Sequence, residues 1–230
     1  DDDDSEFCSS NVDFVDADTV PVSDRGFMYG DGLFETLRLV GGRIPLWQRH
    51  AARLREGCSR LRLPLPDLSG LHDETMRLGA GMPDAVVRVT VTRGSGERGY
   101  APPSSPRPRV VVSVAPLALD AAAYVDGIAV RLCETRLADQ PLLAGLKHLN
   151  RLEQVMARAE WSDDAIGEGL VTDMAGHVVC ATSANVFAVF GDTLVTPAVD
   201  RCGVAGVARA EIAALRPVSL SSMNPERLAG

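Results

Sequence analysis

The chain has 230 residues, 46% of them hydrophobic and 23% charged, with a formal net charge of −8. This composition fits one large folded domain or two small ones and excludes a wholly disordered chain, a collagen-like chain and a coiled coil. The acidic balance argues against general nucleic-acid or anionic-membrane binding, and no apolar run reaches the roughly 18 residues of a membrane span.

Residues 1–11 read as an acidic leader or tag scar outside the fold. Alternation over 12–23 predicts short strands, and the Gly-rich segment 23–34 a loop leading into a strand. Residues 35–47 read as strand, Gly-Gly hairpin turn, strand. Helical spacing of Ala51, Leu54, Cys58 and Leu61 predicts an amphipathic helix over 48–63, followed by a second helix over 68–82. Strands are expected over 84–96 and 109–118, on either side of a Pro-, Ser- and Arg-rich loop at 97–108. An Ala- and Asp-rich linker at 118–126 then separates an N-terminal domain, 12–117, from a C-terminal domain, 127–230. The second domain reads as a strand over 127–137, a helix over 149–164 with Leu149, Leu152, Val155, Met156 and Ala159 on its apolar side, a meander over 168–199, and a helix entered from the Gly-containing turn at 202. Hairpins mixed with helices favour an α+β fold over a doubly wound sheet.

The five cysteines are scattered, odd in number and without a C-x-x-C pair, which points to a reducing cytoplasm. The four histidines form no ligand motif, so no metal is expected. Of 23 basic residues all but Lys147 are arginine. GC-rich codon bias explains the excess of arginine, but arginine cannot replace lysine where an amine must lose its proton and attack a carbonyl. Lys147 lies just before a helix, with His148 and Arg151 near it in sequence. An amine tuned toward neutral pH needs burial or a neighbouring positive charge. The turn CGVAGVAR at 202–209 offers backbone N–H groups at a helix start, where a phosphate is favoured, and Arg53 could hold a phosphate from the first helix. A lysine, a phosphate cradle and an α+β body together point to pyridoxal 5'-phosphate held as a Schiff base.

The motifs SDRGFMYGDGLFETLRL, the H-x-x-R-L of residues 50–54, RGSGERGY, GLKHLNRLEQ, GHVVCATSANVF and TPAVDRCGVAGVAR resemble, in this order, the class IV aminotransferase family of fold-type IV enzymes. The resemblance runs over roughly 12–230. It implies two α/β-type domains with the cofactor in the interdomain cleft, in a homodimer. K-H-L-N-R-L-E-Q and RGSGERGY are most similar to the aminodeoxychorismate lyases of that family, cytoplasmic enzymes of folate biosynthesis that form p-aminobenzoate and pyruvate. Carried over residue by residue, the resemblance makes Lys147 the Schiff-base lysine. It makes Arg53 a phosphate ligand and Val207 and Ala208 the donors of phosphate-binding N–H groups. Asn150, Tyr29, Arg98, Tyr100 and Thr36 become candidates for the substrate pocket, some of them in the pocket of the neighbouring subunit. Cys180 stands where the family has a glutamate that pairs with the pyridine nitrogen, and Glu168 is the alternative acid. The family also continues past PERLAG, so the C-terminal domain reads as truncated and a sheet edge as unpaired. The alternatives are a branched-chain or D-amino-acid aminotransferase, and an inactive binding module on the same fold.

Overall fold

The computed structural model describes residues 14–228, so the acidic leader lies outside the described residues. The chain divides into two compact units, the first ending at Ala118 and the second beginning at Leu119. The content is α+β, as the mixed pattern predicts.

In the first unit a five-residue helix, α1 (Arg25–Tyr29), is followed by strand β1 (Gly32–Val40). Helices α2 (Trp47–Leu61) and α3 (Leu68–Leu78) come next, then strands β2 (Asp84–Thr92) and β3 (Arg109–Pro116). The strands form one antiparallel sheet in the order β1-β2-β3, with Thr36 opposite Arg88 and Glu35 opposite Val89. One face of β1 is buried: Leu33, Leu37 and Leu39 are each at most 2% exposed. Leu54 and Cys58 of α2 are buried too, which is the amphipathic helix that the spacing predicts.

Three local expectations are corrected. No strand forms over the described part of 12–23. The segment 23–34 is not all loop, because Asp24 caps a helical turn by accepting from the Gly26 N–H at 2.8 Å. The Gly41–Gly42 turn does form, with φ of 54° and 69°, but only an isolated bridge from Val40 to Arg43 follows it. Strand β1 pairs instead with the distant β2, whose Val87, Val89 and Val91 are at most 1% exposed. Burying that valine face outweighs a local hairpin.

The second unit opens with the short helix α4 (Ala121–Val125), so the Ala- and Asp-rich stretch is partly helical rather than plain linker. Strand β4 (Ala129–Leu137) and helix α5 (Leu152–Arg158) follow. Next come strands β5 (Ile166–Asp173), β6 (Val178–Ala181), β7 (Ala188–Phe190) and β8 (Thr193–Thr196). Helix α6 (Val207–Leu215), strand β9 (Ser219–Leu220) and helix α7 (Pro225–Leu228) complete it. Its sheets are β4-β5-β6, with β4 and β5 parallel, and β7-β8-β9. The sequence places Leu152, Val155 and Met156 on the inward side of a longer helix. They are 70%, 61% and 56% exposed, and Ala157 is the residue that packs inward. Periodicity registers an apolar stripe but not what covers it.

One buried carboxylate ties helix α2 to strand β1 in the first unit. Glu35, 3% exposed, accepts from Arg53 Nε at 2.8 Å and from a second Arg53 nitrogen, and lies 2.7 Å from His50 Nδ1. Burial pushes its carboxyl up, but the hydrogen bonds from His50 and Arg53 outweigh it, and the net displacement is below the ordinary 4.5. A carboxylate depressed in the folded state adds stability that is fully present above 4.5 and is lost as pH falls through the folded value. Glu35→Gln leaves Arg53 buried without its counter-charge. It is expected to cost about 3–5 kcal/mol at pH 7 in urea denaturation. The gap from the unchanged protein should narrow as pH falls below 4.5, because a protonated Glu35 is nearly a glutamine.

Candidate active site

The sharpest convergence in the second unit surrounds Lys147. The Gly145 N–H donates to the Gly203 carbonyl at 3.0 Å, and the Ala205 N–H donates back to the Gly145 carbonyl at 2.9 Å. These two bonds lay the lysine turn beside the segment that enters α6. Arg151 closes the turn from the other side, donating through Nε to the His148 carbonyl at 2.7 Å and through Nη2 to the Leu146 carbonyl at 3.2 Å. One guanidinium thus binds the carbonyls on both sides of Lys147, which is partly buried. Burial lowers the Arg151 pKa to about 10, so it stays cationic. Burial, reinforced by Arg151, lowers His148 to about 4, so His148 supplies no positive charge at neutral pH.

Helix α6 begins on Gly206, which has no side chain to cap the first turn. The leading N–H groups of a helix have no partner within it, and they carry the positive end of its dipole. Val207 and Ala208 hold the first two positions, Val207 buried and Ala208 exposed. Asn185 shapes this entry: its Nδ2 donates to the Val204 carbonyl at 2.9 Å. A Cβ on Gly206 would come within 1.8 Å of Asn185 Oδ1, so any other residue there forces Asn185 to shift. Asn150 is exposed between Lys147 and α5 and lines a cavity of about 240 Å³ with His148, Arg151 and Gln154.

Cys180 lies on β6 at 7% exposure, and burial pushes its thiol up to about 12. It is neutral and cannot do the electrostatic work of a carboxylate. Glu168 remains ionised. Burial raises its carboxyl, but hydrogen bonds from Ser183 Oγ at 2.6 Å, from Thr182 and from the Gly169 N–H at 2.9 Å hold it below 4.5. Both of its oxygens are engaged by these hydroxyls.

Within the first unit, Arg53 does not face outward alone: Glu35 takes two of its nitrogens. Thr36 is exposed on the opposite face of β1. Tyr29 ends α1, and its hydroxyl accepts from the Gly99 N–H at 3.2 Å. Its ring lies 5.4 Å from that of Tyr100. Arg98 and Tyr100 are exposed on the loop after β2.

The sequence reading missed Arg88. It lies opposite Thr36 on the open sheet face, with its guanidinium carbon 4.0 Å from the centroid of the Phe34 ring. Among the described residues it has no carboxylate partner, and burial alone lowers its pKa. The signal was present in V-R-V-T-V, where strict alternation sets Arg88 on the face opposite the buried valines. Asn185 was missed because its role depends on the approach of a glycine distant in sequence.

The model of the family described as amino-transferase class IV matches residues 32–228. An aminodeoxychorismate lyase of Vibrio harveyi is 37% identical over 194 residues, which cover 84% of this chain and 72% of that protein. A putative branched-chain-amino-acid aminotransferase of Methanocaldococcus jannaschii is 31% identical over 206 residues, 86% of this chain and 70% of that one. The crystal structure of 4-amino-4-deoxychorismate lyase from Pseudomonas aeruginosa superposes with a TM-score of 0.86 at 47% identity, covering 93% of this chain and 81% of that one.

The α6 entry offers its own test. Gly206→Ala forces the new methyl into Asn185 and is expected to cost about 1–3 kcal/mol in urea denaturation. Adding Asn185→Gly removes the obstructing atom and should recover part of that loss, a coupling that a double-mutant cycle reads directly.

Proposed function

The chain belongs to the amino-transferase class IV family, and from that premise we propose that it is a pyridoxal 5'-phosphate-dependent lyase acting on 4-amino-4-deoxychorismate. The products are p-aminobenzoate and pyruvate. The observation that carries this reading is the pair of backbone hydrogen bonds that joins the Lys147 turn to the entry of α6. An amine and an uncapped helix start held side by side suit a phosphorylated aldehyde. Pyridoxal phosphate, when bound, supplies that aldehyde and a sink for an electron pair. Lys147 is the residue that would hold it, with the N–H groups of Val207 and Ala208 and the guanidinium of Arg53 on the phosphate. Cys180 does not fit the ring nitrogen as a carboxylate would, since its thiol stays protonated.

Lys147 Nζ then acts as the base at C4 of the substrate. Its removal of the C4 proton lets the C–O bond to the enolpyruvyl group break. The ring becomes aromatic, and the departing enolpyruvate takes up one proton and leaves as pyruvate. Atoms balance without water or an oxidant. Aromatisation supplies driving force that transamination lacks, which favours the lyase over the aminotransferase alternative where the acid at position 180 is missing. The substrate carries two carboxylates. Arg88, without a carboxylate partner among the described residues and beside Thr36, suits one of them.

Leu152, Val155 and Met156 leave an exposed apolar face on α5. A second copy of the chain is the partner proposed for it, in a cytoplasmic homodimer. No helix among the described residues is long and apolar enough to cross a membrane. Sedimentation equilibrium should return twice the chain mass, and Met156→Glu should shift the protein to monomer. A wild-type monomer at micromolar concentration would remove the dimer from this account.

The decisive measurement is the visible spectrum with pyridoxal phosphate before and after borohydride, together with p-aminobenzoate fluorescence as the assay of turnover. Borohydride should fix the label on the Lys147 peptide. Lys147→Ala should lose the label and at least about 1,000-fold in rate, whereas Arg88→Ala should keep the label and raise KM about tenfold or more. A Lys147→Ala protein with near-normal turnover would refute the proposal.

A further inference from the structure

A peptide unit is planar, so the backbone has only two soft dihedrals per residue, and pinning a carbonyl pins its whole plane. The plane that carries the Gly145 carbonyl is held by the Ala205 N–H at 2.9 Å. The plane that carries the Leu146 carbonyl, and with it the Lys147 nitrogen, is held by Arg151 Nη2 at 3.2 Å. The plane that carries the His148 carbonyl is held by Arg151 Nε at 2.7 Å. The last two bonds come from one guanidinium, whose nitrogens are fixed in a plane of their own. Between those two peptide planes the soft dihedrals are the φ and ψ of Lys147 and His148, so one rigid group limits them all. Leu146, 2% exposed, fastens the start of the same turn in the core. The direction in which the lysine side chain leaves the backbone is set by these bonds.

Arg151 immediately precedes α5, and its side chain makes no capping bond to that helix. Its carbonyl accepts from the Val155 N–H at 3.0 Å, which ties its backbone to the helix while its guanidinium serves the turn. Burial lowers its pKa only to about 10, so both bonds to the turn are charge-assisted at neutral pH.

We propose that Arg151 is a positioning residue for Lys147: its guanidinium fixes the backbone on both sides of the lysine and so the line along which the amine meets an aldehyde. The inference rests on the reading of Lys147 as the amine that forms a C=N bond. In that step the amine adds to the aldehyde carbon, and the aldehyde oxygen leaves as water. Misplacing a reacting group by about 1 Å costs such a step on the order of 100-fold. Methionine at position 151 keeps an apolar stem but binds neither carbonyl. Lysine keeps the charge but lacks the planar fork that holds both.

The test follows C=N formation by absorbance, with pyridoxal phosphate and with pyridoxal, in the wild-type protein, Arg151→Met and Arg151→Lys. Arg151→Met should slow the step about tenfold or more with both aldehydes. Amide hydrogen exchange at Leu146, whose N–H donates to the Leu143 carbonyl at 3.1 Å, should rise about tenfold. Arg151→Lys should lie between, about threefold or more below wild type, and it decides the matter if Arg151→Met does not fold. With saturating pyridoxal phosphate, kcat for p-aminobenzoate should fall by a similar factor with KM within twofold, because the same amine moves the C4 proton. A loss confined to pyridoxal phosphate would place the effect of Arg151 on the phosphate and overturn the proposal. Unchanged exchange at Leu146 overturns the backbone brace, and faster exchange with unchanged C=N rates overturns its role toward the amine. A wild-type protein that forms the C=N bond at Lys147 but yields no p-aminobenzoate sinks the lyase reading instead, and the rates with the two aldehydes still decide the role of Arg151.

Discussion

The Lys147 turn and the start of α6 are distant in sequence and are held together by a reciprocal pair of backbone hydrogen bonds through Gly145. The bonds use backbone groups alone, so the join does not draw on the lysine side chain. They also set a demand on the sequence. Gly145 and Gly203 have φ of 81° and 82°, a Cβ on Gly206 would force Asn185 to shift, and Asn185 must reach the Val204 carbonyl. Arg151 then fastens the carbonyls either side of Lys147. Each of these residues acts on the site through the backbone, and none needs to touch a reacting atom.

The first unit uses a different device. Buried or half-buried carboxylates each gather more than one positive or hydrogen-bonding group: Glu35 with Arg53 and His50, Asp31 with Arg25 and Arg93, Asp24 with Arg109 and Thr92. In each case arginine is the cation. Its fork binds a carboxylate and a carbonyl at once, as when Arg93 spans Asp31 and the last carbonyls of α2 at Leu61 and Arg62. A chain with a single lysine can therefore still build a dense polar interior. Codon bias explains the supply of arginine, and the geometry explains how it is used.

Cys180 is the point at which chain chemistry and family pattern part. A thiol raised to about 12 within a cluster of Cys133, Cys202, Trp161 and Val171 behaves as a small apolar residue. Glu168, the nearby acid, is already committed to two hydroxyls and a backbone N–H. On the proposed reading, Cys180 and Glu168 would leave the ring nitrogen of a bound cofactor without a dedicated carboxylate. That suits an elimination driven by aromatisation better than a reaction that must store electrons in the ring.

The fold class, most helices and strands, and the family were legible in the sequence, because hydrophobic period and motif order are local properties of the chain. Lys147 stood out for a different reason, as the single lysine of the chain. What local pattern could not decide was partnership. Val40 has the hairpin turn its neighbours predict, yet β1 pairs with β2, because burying Val87, Val89 and Val91 outweighs closing a short loop. Leu152, Val155 and Met156 have the spacing of an inward face and remain exposed. The resemblance implies a phosphate role for Arg53, and only the fold shows Glu35 holding it; Arg25 carries no local signal, and only the fold closes three carbonyls on it. A residue's own chemistry is written in its identity. Its burial and its counter-charge depend on segments far away in the chain, so the tertiary structure alone decides them.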